Sequence, residues 1–278
     1  MDNKKITVKV ILQEIVLVLF SIIELVPIYY FAISAFKKRV DIVQHPLAIS
    51  PETFITSNFP YAIKKMKFFE ALRNTGVMTV VSMLIIIVLA SLAGFAIARI
   101  KWKPFDVYYK IVMSCMVIPF IGCLLPLVAQ ATQMNIYNSL VGVILIEAAW
   151  NLPFSIFLYA GFMGGISKEL EEAAYIDGCT TWGVYWKIFL PLLAPVTATC
   201  CIRNGVGIWN DYLVSNSLLN SNATPTIMVG INKFFGKYTT EYGYAFAGIM
   251  LSSLPMVIMF MFLQKYFIKG ITVGSVKG

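Results

Sequence analysis

Charge is scarce in this sequence: Asp, Glu, Lys and Arg make up 13% of its 278 residues, against about 25% in soluble domains. A globule in water needs polar surface in proportion to its area, so this scarcity excludes a water-soluble fold. Histidine is scarcer still. The single His45 has no Cys, Asp or Glu around it at ligand spacing, which excludes a metal-centred or histidine-based enzyme and leaves it a surface residue. The cysteines (Cys115, Cys123, Cys179, Cys200 and Cys201) show no CxxC spacing and mostly lie in apolar runs, so neither a disulfide framework nor a zinc site is indicated and buried free thiols are expected. There is no G-x-x-x-x-G-K-[ST] phosphate loop; Gly164-Gly165-Ile166-Ser167-Lys168 has its composition in the wrong order. Internal repeats, low-complexity tracts and composition shifts are also missing, so residues 1–278 read as one domain and a secondary transporter built on repeats is disfavoured.

What the chain has in abundance is hydrocarbon: 59% hydrophobic residues and a mean hydropathy of +0.78. A spanning helix needs about 20 mostly apolar residues, because lipid offers the backbone no hydrogen bonds. Six stretches qualify, at 15–36, 76–98, 107–131, 140–162, 189–213 and 244–268, and the expectation is an all-α polytopic membrane protein with six transmembrane helices. The first follows a basic tail like that of a signal peptide, but its apolar run is too long and no A-x-A site follows, so it reads as a retained span. The net charge of +8 sits in short clusters between spans rather than in a basic stripe interleaved with aromatics, a loop pattern that excludes nucleic acid. A modest excess of Lys and Arg in the tails and in the segments after spans two and four puts both termini in the cytoplasm. Segments 37–75 and 215–243 then face outward as long loops. Asn222-Ala223-Thr224 in the second matches the glycosylation acceptor pattern, which is common by chance. Of the two carboxylates in the first span, Glu14 is near enough to the edge to snorkel and Glu24 is expected to face another helix.

Between spans four and five, at about 167–187, runs a segment too polar for lipid. Ser167 suits a helix N-cap, Glu169 the first turn, and Gly178 the left-handed position just past the helix end. Leu170, Ala173 and Ala174 fall on one face at i, i+3 and i+4, a narrow surface that another protein can approach closely. An amphipathic turn from Trp182 to Lys187 follows, and the whole reads as a docking element.

The spacing of this segment, Glu172-Ala173-Ala174, three residues, Gly178, nine residues, then Ile188-Phe189-Leu190-Pro191, matches E-A-A-x3-G-x9-I-x-L-P. In this it resembles the inner-membrane permease subunits of binding-protein-dependent ABC importers. Tyr175-Ile176-Asp177-Gly178 and Pro191-Leu192-Leu193-Ala194-Pro195 are similar to the carbohydrate branch, in particular to its smaller maltose-type permease, as are Asn74-Thr75, Ala96-Ile97-Ala98-Arg99, Leu152-Pro153-Phe154, Trp209-Asn210 and the terminal 270–278. Ser167 departs from the family, which often has proline there, but serine caps a helix as proline starts one. The resemblance implies a type I importer permease fold that forms half of a sugar path with a second homologous permease. It also implies an ATPase dimer that binds ATP and Mg, an extracytoplasmic sugar-binding protein, and a bacterial or archaeal inner-membrane location. Coupling to the ATPase falls to Glu171, Glu172, Ala173, Ala174, Asp177, Gly178, Ile188, Leu190 and Pro191. The chain itself would have no catalytic residue, metal or cofactor.

Sugars are held by aromatic faces with amide or carboxylate groups, so Trp150, Asn151, Trp209, Asn210 and Asp211 are the path candidates; interfacial anchoring and helix-to-helix bonding are their plainer reading. Glu147 and Arg203 lie at similar depths in spans four and five and are expected to pair, with a path-lining Arg203 as the alternative. Two other functions stand against sugar import: a permease for amino acids or peptides, and a secondary transporter or membrane enzyme.

Overall fold

The computed structural model describes residues 8–220, 222–236 and 240–275. Most of the basic N-terminal tail and the last three residues of the 270–278 likeness lie outside them. The elements are all helical: α1 (Val8–Ser34), α2 (Arg39–Gln44), α3 (Asn58–Met66), α4 (Phe68–Arg99), α5 (Lys103–Cys115), α6 (Phe120–Gln133), α7 (Leu140–Gly164), α8 (Lys168–Ile176), α9 (Thr181–Val184), a π turn (Tyr185–Phe189), α10 (Leu190–Leu192), α11 (Ala194–Trp209), α12 (Leu213–Leu218), α13 (Ile227–Asn232) and α14 (Tyr242–Ser275).

Four helices are long and apolar enough to cross a membrane unbroken: Val10–Ser34, Phe68–Arg99, Leu140–Gly164 and Tyr242–Phe262. The third and fifth expected spans are bent pairs. Lys103–Cys115 and Phe120–Gln133 meet at 106°, and Thr181–Leu192 and Ala194–Trp209 at 67°. Proline explains both breaks. Pro119 drives Ile118 out of the helical region and itself sits extended at the start of α6, while Pro191 and Pro195 flank Leu193, four residues after the π turn that loosens the ladder. Pro27, Pro153 and Pro255 lie within helices that stay continuous, as membrane helices permit. The two segments expected to face outward are more ordered than loops: 37–75 contains α2, α3 and the first two turns of α4, and 215–243 contains most of α12 and all of α13.

Two compact units emerge, one of residues 1–68 with 231–253 and one of residues 69–230 with 254–278. In the first, Asn58 donates from Nδ2 to the carbonyls of Ala35 (2.8 Å) and Lys37 (2.9 Å), and the Lys37 ammonium donates to those of His45 (2.9 Å) and Pro46 (3.2 Å), fixing the chain beyond α1. Phe246 packs edge-on against Phe31 and Tyr30. Along its span α1 is otherwise open, Glu14 and Glu24 included, so Glu24 does not face a helix of this chain as expected.

The second unit is organised by α4 and α7. Gly94 lets them cross closely: a Cβ there would lie 2.8 Å from Tyr159 Cβ and 2.9 Å from the backbone nitrogen of Ala160. Ser82 adds a hydrogen bond to the carbonyl of Ile144 (3.2 Å), and Ser91 shares one with the Tyr185 hydroxyl (2.8 Å). Small and hydroxylated residues are what helix contacts in lipid use. The five cysteines are free, but only Cys200 is buried and Cys115 is exposed, which corrects the expectation of buried thiols.

Candidate docking segment and membrane path

Helix α8 is capped at both ends. Ser167 Oγ accepts from the Glu169 amide at 3.2 Å, and the chain leaves through Gly178 at φ +83°, the left-handed conformation expected of it. Thr180 Oγ1 then accepts from the Gly183 amide at 3.2 Å to start α9. The three-residue face read from sequence divides: Leu170 and Ala173 are open, whereas Ala174 is buried in the core cluster. Glu172, Tyr175, Ile176, Asp177, Gly178 and Trp182 are exposed, with Ile176 at 86%. Apolar groups left open among charges in this way mark a contact surface. Ile188 and Leu190 are half-buried and Pro191 is exposed at the bend. Fully buried Phe189 anchors that bend beside Phe95 and Tyr185.

The residue that ties this segment to the spans is Arg99, at the end of α4. Its Nη2 donates to the carbonyls of Met163 (2.5 Å) and Ile166 (2.6 Å), its Nη1 lies 3.8 Å from Glu171 Oε2, and its guanidinium sits 4.9 Å over the Phe189 ring. One side chain thus grips the end of α7, α8 and the bend. In the sequence Arg99 stands out as part of a family likeness and of the basic segment after span two. The available signal was a cation at the end of one span and an acidic helix after another, with α5, α6 and α7 between them.

Deeper in the unit, α7 and α11 share a polar cluster. Arg203 Nη1 donates to Asn151 Oδ1 (2.8 Å) and Asn204 Oδ1 (2.7 Å), and Asn151 Nδ2 donates to the carbonyl (2.9 Å) and Oε2 (3.2 Å) of Glu147. Asn204 Nδ2 donates to Ser155 Oγ (2.8 Å), which donates to the Asn151 carbonyl (2.8 Å). Glu147 and Arg203 therefore do not make the direct pair that equal depth suggested; Asn151 stands between them and bonds to both. The helices are offset by the width of one amide, which a depth count cannot resolve.

The five path candidates separate in the same way. Trp209 is buried. Asn151 is occupied by the cluster, and Asp211 accepts from the amides of Val214 (3.0 Å) and Ser215 (2.8 Å) to start α12. These three have structural work. Asn210 is open at the end of α11. Trp150 stands edge-on to Phe120 and lines a cavity of about 520 Å³ with Gln130, Phe154 and Arg203.

Residues 86–273 match the family described as binding-protein-dependent transport system inner membrane component. The chain is 31% identical to a probable starch degradation products transport system permease protein of Thermoanaerobacterium thermosulfurigenes, with 99% of each chain covered. It is 34% identical to the melibiose/raffinose/stachyose import permease protein of Bacillus subtilis, with 91% of each covered. Among solved structures, a chain of a bacterial ABC transporter involved in the import of the acidic polysaccharide alginate superposes with a TM-score of 0.80 at 20% identity, over 96% of this chain and 99% of that one. That likeness gives the fold, which is the type I permease fold. The protein belongs to the inner-membrane component family of binding-protein-dependent transport systems.

Proposed function

We propose that this chain is one of two permease subunits of an ATP-driven sugar importer and that α8 and α9 dock on its ATPase. The observation that carries the docking role is the capped, Arg99-tethered α8, whose open Leu170, Glu172, Ala173 and Ile176 side chains have no use in the fold of the described residues. Sugar as the cargo is supported by the relatives, one described as a probable permease for starch degradation products and the other as an import permease for melibiose, raffinose and stachyose. On this reading the termini and α8 are cytoplasmic and the 215–243 segment faces the arriving binding protein. An ATPase dimer holding ATP and Mg closes and moves α8, and Arg99 passes that movement to α4 and α7. Trp150 and Asn210 are path residues, while the bond from Asn204 to Ser155 holds α11 to α7. The test is to purify the chain with an affinity tag from its native membrane. It should bring down an ATPase and a second permease, and the reconstituted complex should take up sugar only with ATP and a binding protein. Recovery without an ATPase, or uptake that runs without ATP, refutes the proposal.

A further inference from the structure

Arg203 is a charge within a span, yet it is one of the open residues of α11. Open beside it on the same face, at helical spacing, are Val206, Gly207 and Asn210, with half-buried Thr199 one turn before. A Cβ at Gly207 would meet nothing within 4 Å. A guanidinium on a lipid-facing stripe is strongly disfavoured, and a stripe of Thr, Arg, Gly and Asn is a poor lipid face, so this side of α11 faces water or polar groups. The hydrogen bonds of Arg203 among the described residues all leave from Nη1. Nε and Nη2 are left, and their edge is the planar fork that fits two adjacent oxygen atoms.

The surroundings of that fork suit a sugar. The guanidinium carbon stands 4.3 Å over the Phe154 ring, which fixes its plane. The cavity it borders, about 520 Å³ with Trp150 and Gln130 in its wall, falls within the roughly 300–1,000 Å³ typical of small-ligand sites. An aromatic wall with one polar fork is how the apolar face and hydroxyl edge of a pyranose are recognised. The relatives named for starch degradation products and for melibiose, raffinose and stachyose move uncharged sugars, and that is the class this reading takes.

We propose that Arg203 is a sugar-contacting residue on the transport path, donating from Nε and Nη2 to two neighbouring hydroxyls of a neutral sugar unit whose ring lies against Trp150. This rests on the sugar-import reading. The test uses the full importer in proteoliposomes with saturating binding protein, and radiolabelled raffinose or maltotriose, whichever the binding protein retains. Arg203→Gln should lower maximal uptake about tenfold, the scale of one lost charged hydrogen bond, with assembly and ATP hydrolysis unchanged. Arg203→Lys should recover part of it. Monodeoxy analogues of the sugar locate the contact: the loss should shrink for the analogue that lacks the bonded hydroxyl. Wild-type uptake by Arg203→Gln, or an equal loss for every analogue, overturns the assignment. So does failure of assembly in both variants, since Arg203 is then a packing residue. Uptake of trigalacturonate that depends on Arg203 overturns the neutral class. A binding protein that retains none of these sugars defeats the import reading itself, before Arg203 is reached.

Discussion

Gly178 and Glu172 separate fold from docking at the scale of single residues. Gly178 adopts φ +83° with open space where a Cβ would go, so the cost of a side chain there is in the backbone alone, about 1–2 kcal/mol. Glu172 is exposed. Gly178→Asp should disturb the exit from α8, and Glu172→Lys should reverse a surface charge, while both variants insert at wild-type abundance. Sugar uptake should fall about tenfold in each, equivalent to about 1.4 kcal/mol of lost coupling, with sugar binding by the binding protein unchanged. Wild-type uptake by both at equal abundance would refute the docking role. Arg99 behaves differently because its contacts are internal. Arg99→Ala abandons the Met163 and Ile166 carbonyls, each bond being worth about 1.5–3 kcal/mol, and should lower the melting temperature of the detergent-purified complex. Arg99→Lys should recover less than half, since an ammonium cannot reproduce the fork. Full recovery by lysine would show that only charge matters at this position.

At the scale of elements, the α4–α7 crossing turns on Gly94. A Cβ there meets the backbone nitrogen of Ala160 at 2.9 Å, a neighbour that cannot rotate away. Gly94→Ala should therefore destabilise the protein by about 1–3 kcal/mol, read as a lower melting temperature and faster proteolysis. Gly161→Ala on α7, where an added Cβ meets nothing within 4 Å, is the matched control and should be neutral. Equal effects from the two would mean that the helices do not meet at Gly94. This crossing was not legible in the sequence, because Gly94 and Gly161 look alike in their apolar runs. Existence and order of the spans were legible, since hydropathy over some twenty residues has little competition in lipid. Their continuity was not: the runs at 107–131 and 189–213 are apolar enough to span, yet Pro119, Pro191 and Pro195 break them. Helix α8 was readable almost residue by residue because caps and glycine act locally, and the exception was Ala174, whose burial depends on tertiary packing. The amide between Glu147 and Arg203 was hidden for the same reason.

At the scale of the molecule, the question is how the segment between α12 and α13, proposed to meet the binding protein, is held. Its two ends are fixed. Asn138 accepts from the Asn220 amide at 2.8 Å, and its own amide donates to the Leu218 carbonyl at 2.9 Å. Beyond the turn, Asn74 donates to the Pro225 carbonyl (2.9 Å) and Thr75 accepts from the Ile227 amide (3.0 Å). The tip is thus carried by the start of α4 and the turn before α7, two of the elements that Arg99 joins at their other ends. Movement of α8 can then reach the tip through rigid spans. Asn220 is a poor labelling position because its Oδ1 accepts from the Asn222 amide at 3.0 Å; Ala223 is exposed and small. On the proposed orientation, Ala223→Cys should crosslink to the binding protein when the ATPase is held closed with ATP, and several-fold less when nucleotide is removed. The same cysteine in Asn74→Ala, which loses the Pro225 tether, should crosslink without that nucleotide dependence. Mass spectrometry of the crosslinked product reads both. If Ala223→Cys captures no binding protein in any nucleotide state of an assembled complex, this segment is not the docking surface.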